Sequence, residues 1–240
     1  MTDTDHLLVH DGDLIPGQIA DRPNRFVVTV RFNGSPERVF LADPGALEDV
    51  LVRGREILCS PVDDPDRATD YDAIAVRVDD LYVSVRAVLA NELFEAAVTQ
   101  QLLPGFDGYS VLEREPGLPD HGRTDFQLGS PTGDTAYVEV KSCTHVDDGI
   151  AKFPDRQTER GRRHLRSLES LLADGHEAAV VFVVQRPDAE RLRPYSSVDP
   201  AFADLLTRVH SSGVAVYAFS TAFDPPLYRI QDPALPVDLS

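Results

Sequence analysis

The sequence predicts a mixed fold, between α+β and α/β, in two parts: a β-rich N-terminal region and an α/β C-terminal region. Roughly the first 85 residues hold five short stretches rich in β-branched and aromatic residues, separated by Gly, Pro and Asp turns, which is typical of a small β-barrel or sandwich. After them, helix-spaced apolar residues alternate with strand-like runs, as in α/β domains. We therefore expect one domain over residues 1–86 and a second over residues 87–240.

The N-terminal strands are bounded by turn residues. The run RFVVTVRF at 25–32 is followed by Asn33 and Gly34, which together are a strong signal for a tight hairpin turn. The acidic, proline-containing segment 61–70 is expected to form a surface loop. The predicted strands are residues 25–32, 38–41, 56–60, 73–78 and 81–85.

Helices and strands alternate in the second region. Asn91 is a candidate N-cap for the first helix, and Asp199 followed by Pro200 is typical of the start of the third. The chain after Asp224 is rich in proline, so we expect it to lie on the surface. The predicted helices are residues 91–103, 158–173 and 199–210, and the predicted strands are residues 109–114, 124–128, 136–141, 178–184 and 214–219.

The charge composition is unusual. The net charge is −17, and of 23 basic residues only Lys141 and Lys152 are lysine. An acidic, lysine-poor chain is typical of proteins from cells with very high internal salt, where self-repulsion is screened. The sequence therefore predicts a halophilic, haloarchaeal-type protein; the alternative is an acidic protein from ordinary salt. The overall charge disfavours nucleic-acid binding, so any such binding needs a local positive surface.

Composition also bears on location and on disulfide or zinc sites. The N-terminus lacks the basic start and apolar core of a signal peptide, and no apolar run has the length of a membrane span. We expect a cytoplasmic protein with no membrane partner. The two cysteines, Cys59 and Cys143, are far apart, so neither a disulfide framework nor a zinc site is expected.

Two acidic residues and a lysine form the candidate catalytic set. Asp125 lies in one predicted strand, while Glu139 and Lys141 lie two apart in the next and so project from the same face. Two carboxylates suit Mg²⁺ or Mn²⁺, with the backbone carbonyl of Val140 as a third ligand. Lys141 would orient a metal-bound water and stabilise developing negative charge. The alternative is an exposed Glu–Lys pair of little consequence; the scarcity of lysine favours the catalytic interpretation.

A net-positive segment follows this strand, between residues 152 and 166. Because it leads into a helix beside the candidate metal site, we predict that it binds a phosphate backbone; the alternative is a solvated helix face. His121 and His145 lie nearby and are expected to be structural or surface residues. The predicted nucleic-acid contacts are Lys152, Arg156, Arg160, Arg163 and His164.

Longer motifs occur together in this chain: P-N-R-F at 23–26, H-G-R-T-D-F at 121–126, V-E-V-K-S-C-T at 138–144, D-G-I-A-K-F-P-D-R-Q-T-E-R-G-R-R-H-L at 148–165, V-F-V-V-Q-R at 181–186 and D-P-A-F at 199–202. Through these motifs, the chain resembles the sugar fermentation stimulation protein family, SfsA, from residue 22 to about residue 219. The resemblance implies an N-terminal OB-like β-barrel, a C-terminal restriction-endonuclease-like α/β domain of the PD-(D/E)xK type, and DNA binding.

The resemblance also implies residue roles. It maps the metal-binding acids onto Asp125 and Glu139 and the active-site lysine onto Lys141. An acidic residue on the helix before the core maps onto Glu95, as a further metal contact or a residue that positions a water.

The barrel departs from the family pattern. The family's N-T-G-R stretch and basic R-K-T-x-Y segment correspond here to A-D-P-G-A-L at 42–47 and R-A-T-D-Y at 67–71. Asp43 and Asp70 add negative charge at these places, which argues against nucleic-acid contact through the barrel.

Two functions of different class follow. The first is a Mg²⁺- or Mn²⁺-dependent nuclease that hydrolyses DNA, or RNA, with Asp125, Glu139 and Lys141 as its catalytic residues. The second is a non-catalytic, DNA-binding regulatory protein in which the same residues are structural. An enzyme of sugar metabolism is disfavoured, because the chain has neither a nucleotide-binding glycine loop nor a nucleophile elbow.

Overall fold

The computed structural model describes residues 6–118, 122–130 and 132–239. After a short first strand, the N-terminal part consists of strands joined by turns. Its strands are β1 (Leu8–Val9), β2 (Ile15–Asn24), β3 (Val27–Phe32), β4 (Ser35–Phe40), β5 (Glu56–Pro61), β6 (Tyr71–Val78) and β7 (Leu81–Ser84).

Five of these strands close into a barrel. Antiparallel ladders join β2 to β3, β3 to β4, β2 to β5 and β5 to β6. A parallel bridge between Phe40 on β4 and Asp72 on β6 closes the ring. This ring order is that of an OB fold, so the expected OB-like barrel is confirmed. The bulged strand β2 is not predicted from the sequence, because its Pro16, Gly17 and Pro23 break the alternating pattern of a strand.

The C-terminal part alternates between strands and helices. Its elements are α1 (Leu89–Thr99), β8 (Ser110–Arg114), β9 (Gly117–Leu118), β10 (Gly122–Arg123), β11 (Phe126–Gly129), β12 (Thr135–Cys143), β13 (Val146–Asp147), β14 (Ile150–Phe153), α2 (Glu159–Ala173), β15 (Glu177–Val184), β16 (Arg191–Pro194), α3 (Pro200–Ser211), β17 (Ala215–Asp224) and β18 (Leu227–Asp232).

A mixed seven-stranded sheet forms the centre of this part, in the order β1-β18-β17-β15-β12-β11-β8. The three central strands, β12, β15 and β17, run parallel, and the outer pairings are antiparallel. Apolar residues of α1 pack on one face, and those of α2 and α3 pack on the other. The predicted α/β layer is therefore confirmed.

Several local expectations are corrected. The chain after Asp224 does not lie loosely on the surface: it forms β18, in which Tyr228 is buried. Helix α1 begins at Leu89 with Val88 as N-cap, so Asn91 lies inside the helix. The cap at Asp199 is confirmed, because its Oδ1 accepts the N–H of Phe202 at 3.0 Å.

The proposed domain division at residues 86 and 87 is crossed at the start of the chain. Strand β1 comes before the barrel, yet it pairs with β18 in the sheet of the second part. Leu58 and Ile74 of the barrel also belong to the same apolar cluster as Leu93 of α1. The division remains a proposal about sequence segments. No helix in the described residues is both long and apolar enough to cross a membrane.

A barrel loop is fixed to the second part by one carboxylate. Asp155, which follows β14, accepts the N–H groups of Ala46 and Leu47 through Oδ2, at 2.7 and 3.2 Å. Close by, Asp49 of the barrel pairs with His145, at 3.1 Å. These polar contacts hold the barrel at a defined position beside the sheet.

We expect Asp155→Ala to lower the free energy of unfolding by about 2 kcal/mol, because two backbone N–H groups lose their acceptor in a half-buried place. Chemical denaturation measures this. Asp204→Ala, at an exposed position on α3, is the matched control and should change stability little. Equal stability of the two variants would show that Asp155 does not fix the loop.

Candidate functional site

The candidate site forms around β12, the strand between β11 and β15. Glu139 and Lys141 project from β12 toward α2, while Val138 and Val140 face the opposite side of the sheet and join the apolar cluster of α1. The alternation predicted from the sequence is therefore confirmed. Asp125 lies immediately before β11, which pairs with β12.

Glu139 is buried, with 2 % of its surface exposed, and its carboxylate is held mainly through Oε1. Oε1 is bonded to Lys141 Nζ and to His164 Nδ1. Oε2 lies 3.5 Å from the hydroxyl of Thr124, which donates to the carbonyl of Val138 at 2.9 Å. Burial opposes ionisation of this carboxyl group. The charge of Lys141 and the hydrogen bond from His164 outweigh burial, so the pKa of Glu139 is lowered.

Asp125 is half-buried and is held by two donors. Its Oδ1 accepts from Asn91 Nδ2 at 3.1 Å, and its Oδ2 accepts the backbone N–H of Val140 at 2.8 Å. Burial and the nearby charge of Glu139 nevertheless raise the pKa of Asp125, against the opposing charge of Lys141. Two carboxylates are thus held close enough to repel each other.

Lys141 and His164 complete a compact polar cluster. The Nζ of Lys141 lies 3.3 Å from His164 Nδ1, and both atoms contact the same oxygen of Glu139. His164 is on the first turns of α2, whose N-cap Thr158 accepts the N–H of Gly161 at 3.0 Å. His164 was expected to contact nucleic acid; in the structure its Nδ1 contacts a catalytic candidate.

Helix α1 contributes Asn91 to this site. Glu95, predicted to contact the metal, lies one turn further along the helix, and its carboxylate is paired with Arg114 on β8, with Nε to Oε1 at 2.9 Å. A metal contact by Glu95 requires that pair to break, and it remains a prediction. From the sequence, Asn91 is predicted only as a helix cap, because no local pattern indicates its bond to Asp125.

The cluster opens into a cleft of about 620 Å³ between the barrel and the second part, which we call the interdomain cleft. Asp125, Glu139 and Lys141 line it together with residues of the barrel. Among the predicted nucleic-acid contacts, those that line the cleft are Lys152, Arg156, Arg160 and His164.

Those basic residues differ in the contacts that their side chains already make within the protein. Lys152 pairs with Asp147 at 2.6 Å, and Arg156 donates to the carbonyl of Pro44 at 2.9 Å. No ion pair involving Arg160 or Arg163 is found among the described residues.

A second groove runs along α2. It has a volume of about 700 Å³, and Arg163 lines it together with Arg160 and His164, which also line the interdomain cleft. Arg166 and Ser170 extend it further along the helix. We call it the arginine groove. His121 lies outside the described residues, and His145 packs against Tyr195, with ring centroids 5.1 Å apart.

Protein side chains supply only some of the oxygen ligands that a hard divalent cation takes. Within the described ranges, no group of three or more His, Cys, Asp or Glu side chains is arranged to hold a metal. Asp125 and Glu139 are two neighbouring carboxylates beside an open cleft. Two carboxylates fit a hard divalent cation that keeps several waters and needs few protein ligands.

Comparison with known proteins agrees with this architecture. A family model described as the SfsA N-terminal OB domain matches residues 20–85, and one described as the sugar fermentation stimulation protein RE domain matches residues 88–226. These descriptions agree with the OB barrel followed by a restriction-endonuclease-like α/β domain.

Relatives cover nearly the whole chain. A sugar fermentation stimulation protein homolog from Moorella thermoacetica is 38% identical over 93% of this chain and 96% of its own length. A homolog from Chloroflexus aurantiacus is 41% identical over 88% of this chain and 81% of its own. The structure of Pyrococcus furiosus SfsA in complex with Ca²⁺ has a TM-score of 0.89 at 27% identity, covering 97% of this chain and 99% of that one. The chain therefore belongs to the sugar fermentation stimulation protein (SfsA) family.

Proposed function

We propose that this chain is a divalent-metal-dependent nuclease that hydrolyses phosphodiester bonds of DNA. The observation that carries the proposal is the meeting of Asp125, Glu139 and Lys141 at one open cleft. Two carboxylates and an ammonium group suit metal-assisted hydrolysis of a phosphodiester: they supply ligands for a cation, and a positive group for the charge that develops on phosphate.

Asp125, Glu139 and the backbone carbonyl of Val140 would hold Mg²⁺ or Mn²⁺. Such an ion, when bound, lowers the pKa of a coordinated water and neutralises charge on the phosphate. The related Pyrococcus furiosus protein was solved with Ca²⁺, another hard cation that takes oxygen ligands, which supports a divalent cation here.

The chain's own residues prepare the site for this chemistry. Asn91 and the amide of Val140 fix both oxygens of Asp125, and His164 fixes Glu139 from α2. The Nζ of Lys141 is a compact positive charge that Glu139 holds at the cleft wall. Preorganised donors of this kind avoid reorganisation during the reaction.

Lys152, Arg156, Arg160 and Arg163 supply the positive surface that an acidic chain needs to hold a phosphate backbone. Arg160 lines both the interdomain cleft and the arginine groove, so the backbone can follow α2 from one to the other.

Replacing both Arg160 and Arg163 with Gln should weaken DNA binding and lower the slope of log affinity against log salt by about 2, because each arginine neutralises about one phosphate. Binding titrations over a range of KCl concentrations measure the slope. Arg53→Gln, at an exposed position that lines neither groove, is the control. An unchanged slope in the double variant would place the phosphate backbone elsewhere.

The direct test of the proposal is a panel of labelled single-stranded and duplex DNA and RNA, incubated with the protein in Mn²⁺, in Mg²⁺ and in EDTA. The series runs from low salt to several molar KCl, because the composition predicts adaptation to high salt. We expect cleavage that requires the metal and favours DNA. Binding without any cut product under every condition would refute the nuclease proposal.

One observation favours a second function, a non-catalytic DNA-binding regulator. Glu139, Lys141 and His164 bond to one another in a buried cluster, as a structural ion pair would. Under this alternative, DNA binds with the same affinity in EDTA and in Mn²⁺, and calorimetry detects no Mn²⁺ binding that Asp125→Asn removes.

A further inference from the structure

An exposed aromatic ring on the barrel lies next to an arginine that lines the interdomain cleft. Phe26 has 41 % of its surface exposed, and it is the one aromatic among the large exposed hydrophobic residues of the described chain. The guanidinium of Arg25 lies over its ring, 4.7 Å from the centroid. Arg25 itself lines the interdomain cleft with Asp125 and Glu139.

The turn that carries this ring is ordered by hydrogen bonds. Asn24 Oδ1 accepts the N–H of Phe26 at 2.8 Å, and the carbonyl of Phe26 accepts the N–H of Leu41 at 2.9 Å. Both polar backbone groups of Phe26 are therefore fixed. A ring presented on an ordered backbone loses little further entropy when a ligand binds to it.

The same turn is tied to the loop that docks on the catalytic part. Arg22 donates to the carbonyl of Gly45 at 2.8 Å and to that of Arg25 at 3.5 Å. The next residues, Ala46 and Leu47, donate their N–H groups to Asp155, which lines the interdomain cleft. The backbone that carries the ring is thus linked through this loop to the wall of the interdomain cleft.

The local charge at this turn is mixed, because Asp43, Asp155 and Glu48 lie near Arg22 together with Arg156. Asp43, the nearby acid of the barrel loop, is buried and its Oδ1 accepts the N–H of Gly45 at 2.8 Å. Burial raises its pKa, which disfavours a charged form. Asp43 is therefore buried whereas Asp70 is exposed, and the predicted effect of their negative charge on nucleic-acid contact remains a prediction.

We propose that Arg25 and Phe26 bind an unpaired nucleotide of the substrate, with its base stacked on Phe26 and its phosphate held by Arg25. Stacking on an aromatic side chain accepts any base but needs an uncovered base face. In a duplex both faces are covered by neighbouring pairs. The turn also connects the first two barrel strands, a place where OB folds bind oligonucleotides. The substrate class that follows is DNA with a single-stranded segment. This inference rests on the proposed nuclease function and specifies its substrate.

Tryptophan fluorescence tests the contact directly, because the chain contains no tryptophan. In Phe26→Trp, titrated in EDTA, an oligothymidylate should quench the fluorescence, whereas a blunt duplex should not. In Phe26→Ala, affinity for the single strand should fall about tenfold, with duplex affinity unchanged. Val52→Ala, which trims another exposed apolar side chain of the barrel region, is the control and should bind like wild type.

The proposal is overturned if Phe26→Ala binds the single strand as wild type does, or if strand and duplex quench Phe26→Trp equally. Since the titrations need no metal and no cleavage, they stand apart from the nuclease assay. Quenching without Mn²⁺-dependent cleavage would refute the nuclease and keep this contact. Cleavage without quenching would refute the contact and keep the nuclease.

Discussion

Replacing Lys141 with Ala should lower the rate of Mn²⁺-dependent cleavage by about 10²–10³-fold, while DNA binding is largely kept. The reason is that removal of a preorganised positive group costs stabilisation of charge that develops only in the transition state. Lys141 is 13% exposed at the wall of the interdomain cleft, where it is placed by β12 and held by Glu139. Single-turnover cleavage measures the chemical step separately from binding.

Lys152→Ala is the matched control for this experiment. It is the chain's only other lysine, it lines the same cleft, and it is paired with Asp147 rather than with the carboxylate cluster. We expect it to affect binding and its salt dependence more than the cleavage step. Lys141→Arg should not restore the rate, because a planar guanidinium does not replace a compact ammonium. If Lys141→Ala and Lys152→Ala slow cleavage equally, Lys141 has no special role.

The parts of this fold that the sequence predicts are those defined by local pattern. The hairpin at Asn33 and Gly34 joins β3 to β4 as expected, because the turn residues alone favour it. The apolar face of α2 and the cap at Asp199 are likewise local signals. Strands β2 and β18 are not predictable in this way. Both contain polar residues, β2 includes two prolines and β18 is flanked by prolines. Long-range pairing stabilises them instead.

The same distinction applies to the site. Alternation along β12 predicts that Glu139 and Lys141 share a face, since strand geometry decides it. The contacts from Asn91 on α1 and His164 on α2 arise only when both helices pack on the sheet. The burial of Asp43 is also tertiary. The sequence does not reveal which neighbours surround each charged group. Those neighbours decide whether an acid is exposed or paired and in which direction its pKa shifts.

Glu139→Gln and Asp125→Asn should both abolish Mn²⁺ binding and cleavage, yet change the stability of the metal-free protein in opposite directions. The pKa of Glu139 is lowered, since Lys141 and His164 outweigh burial, so its ionised form stabilises the fold. The pKa of Asp125 is raised by burial and by Glu139, so its ionised form destabilises the fold. Calorimetric titration with Mn²⁺ and thermal unfolding in EDTA are the two measurements.

The size and pH dependence of the stability changes follow from these signs. Glu139→Gln should cost about 3 kcal/mol near pH 7, because Lys141 and His164 lose a buried carboxylate as their partner; this loss should shrink as pH falls through the lowered pKa of Glu139. Asp125→Asn should raise the melting temperature near pH 7, and this gain should disappear as pH falls below the unfolded pKa of an aspartate.

Mn²⁺ should reverse the order of the melting temperatures, because it stabilises only a protein that binds it. In Mn²⁺, wild type should then have a higher melting temperature than Asp125→Asn. This reversal would not occur if Asp125→Asn still bound the ion. Asp204→Ala, at an exposed position outside the interdomain cleft, should respond to Mn²⁺ as wild type does. If Mn²⁺ raises the melting temperature of Asp125→Asn as much as that of wild type, the ion binds elsewhere. The two carboxylates then form a structural pair, and their repulsion, which costs the metal-free fold stability, has no catalytic purpose.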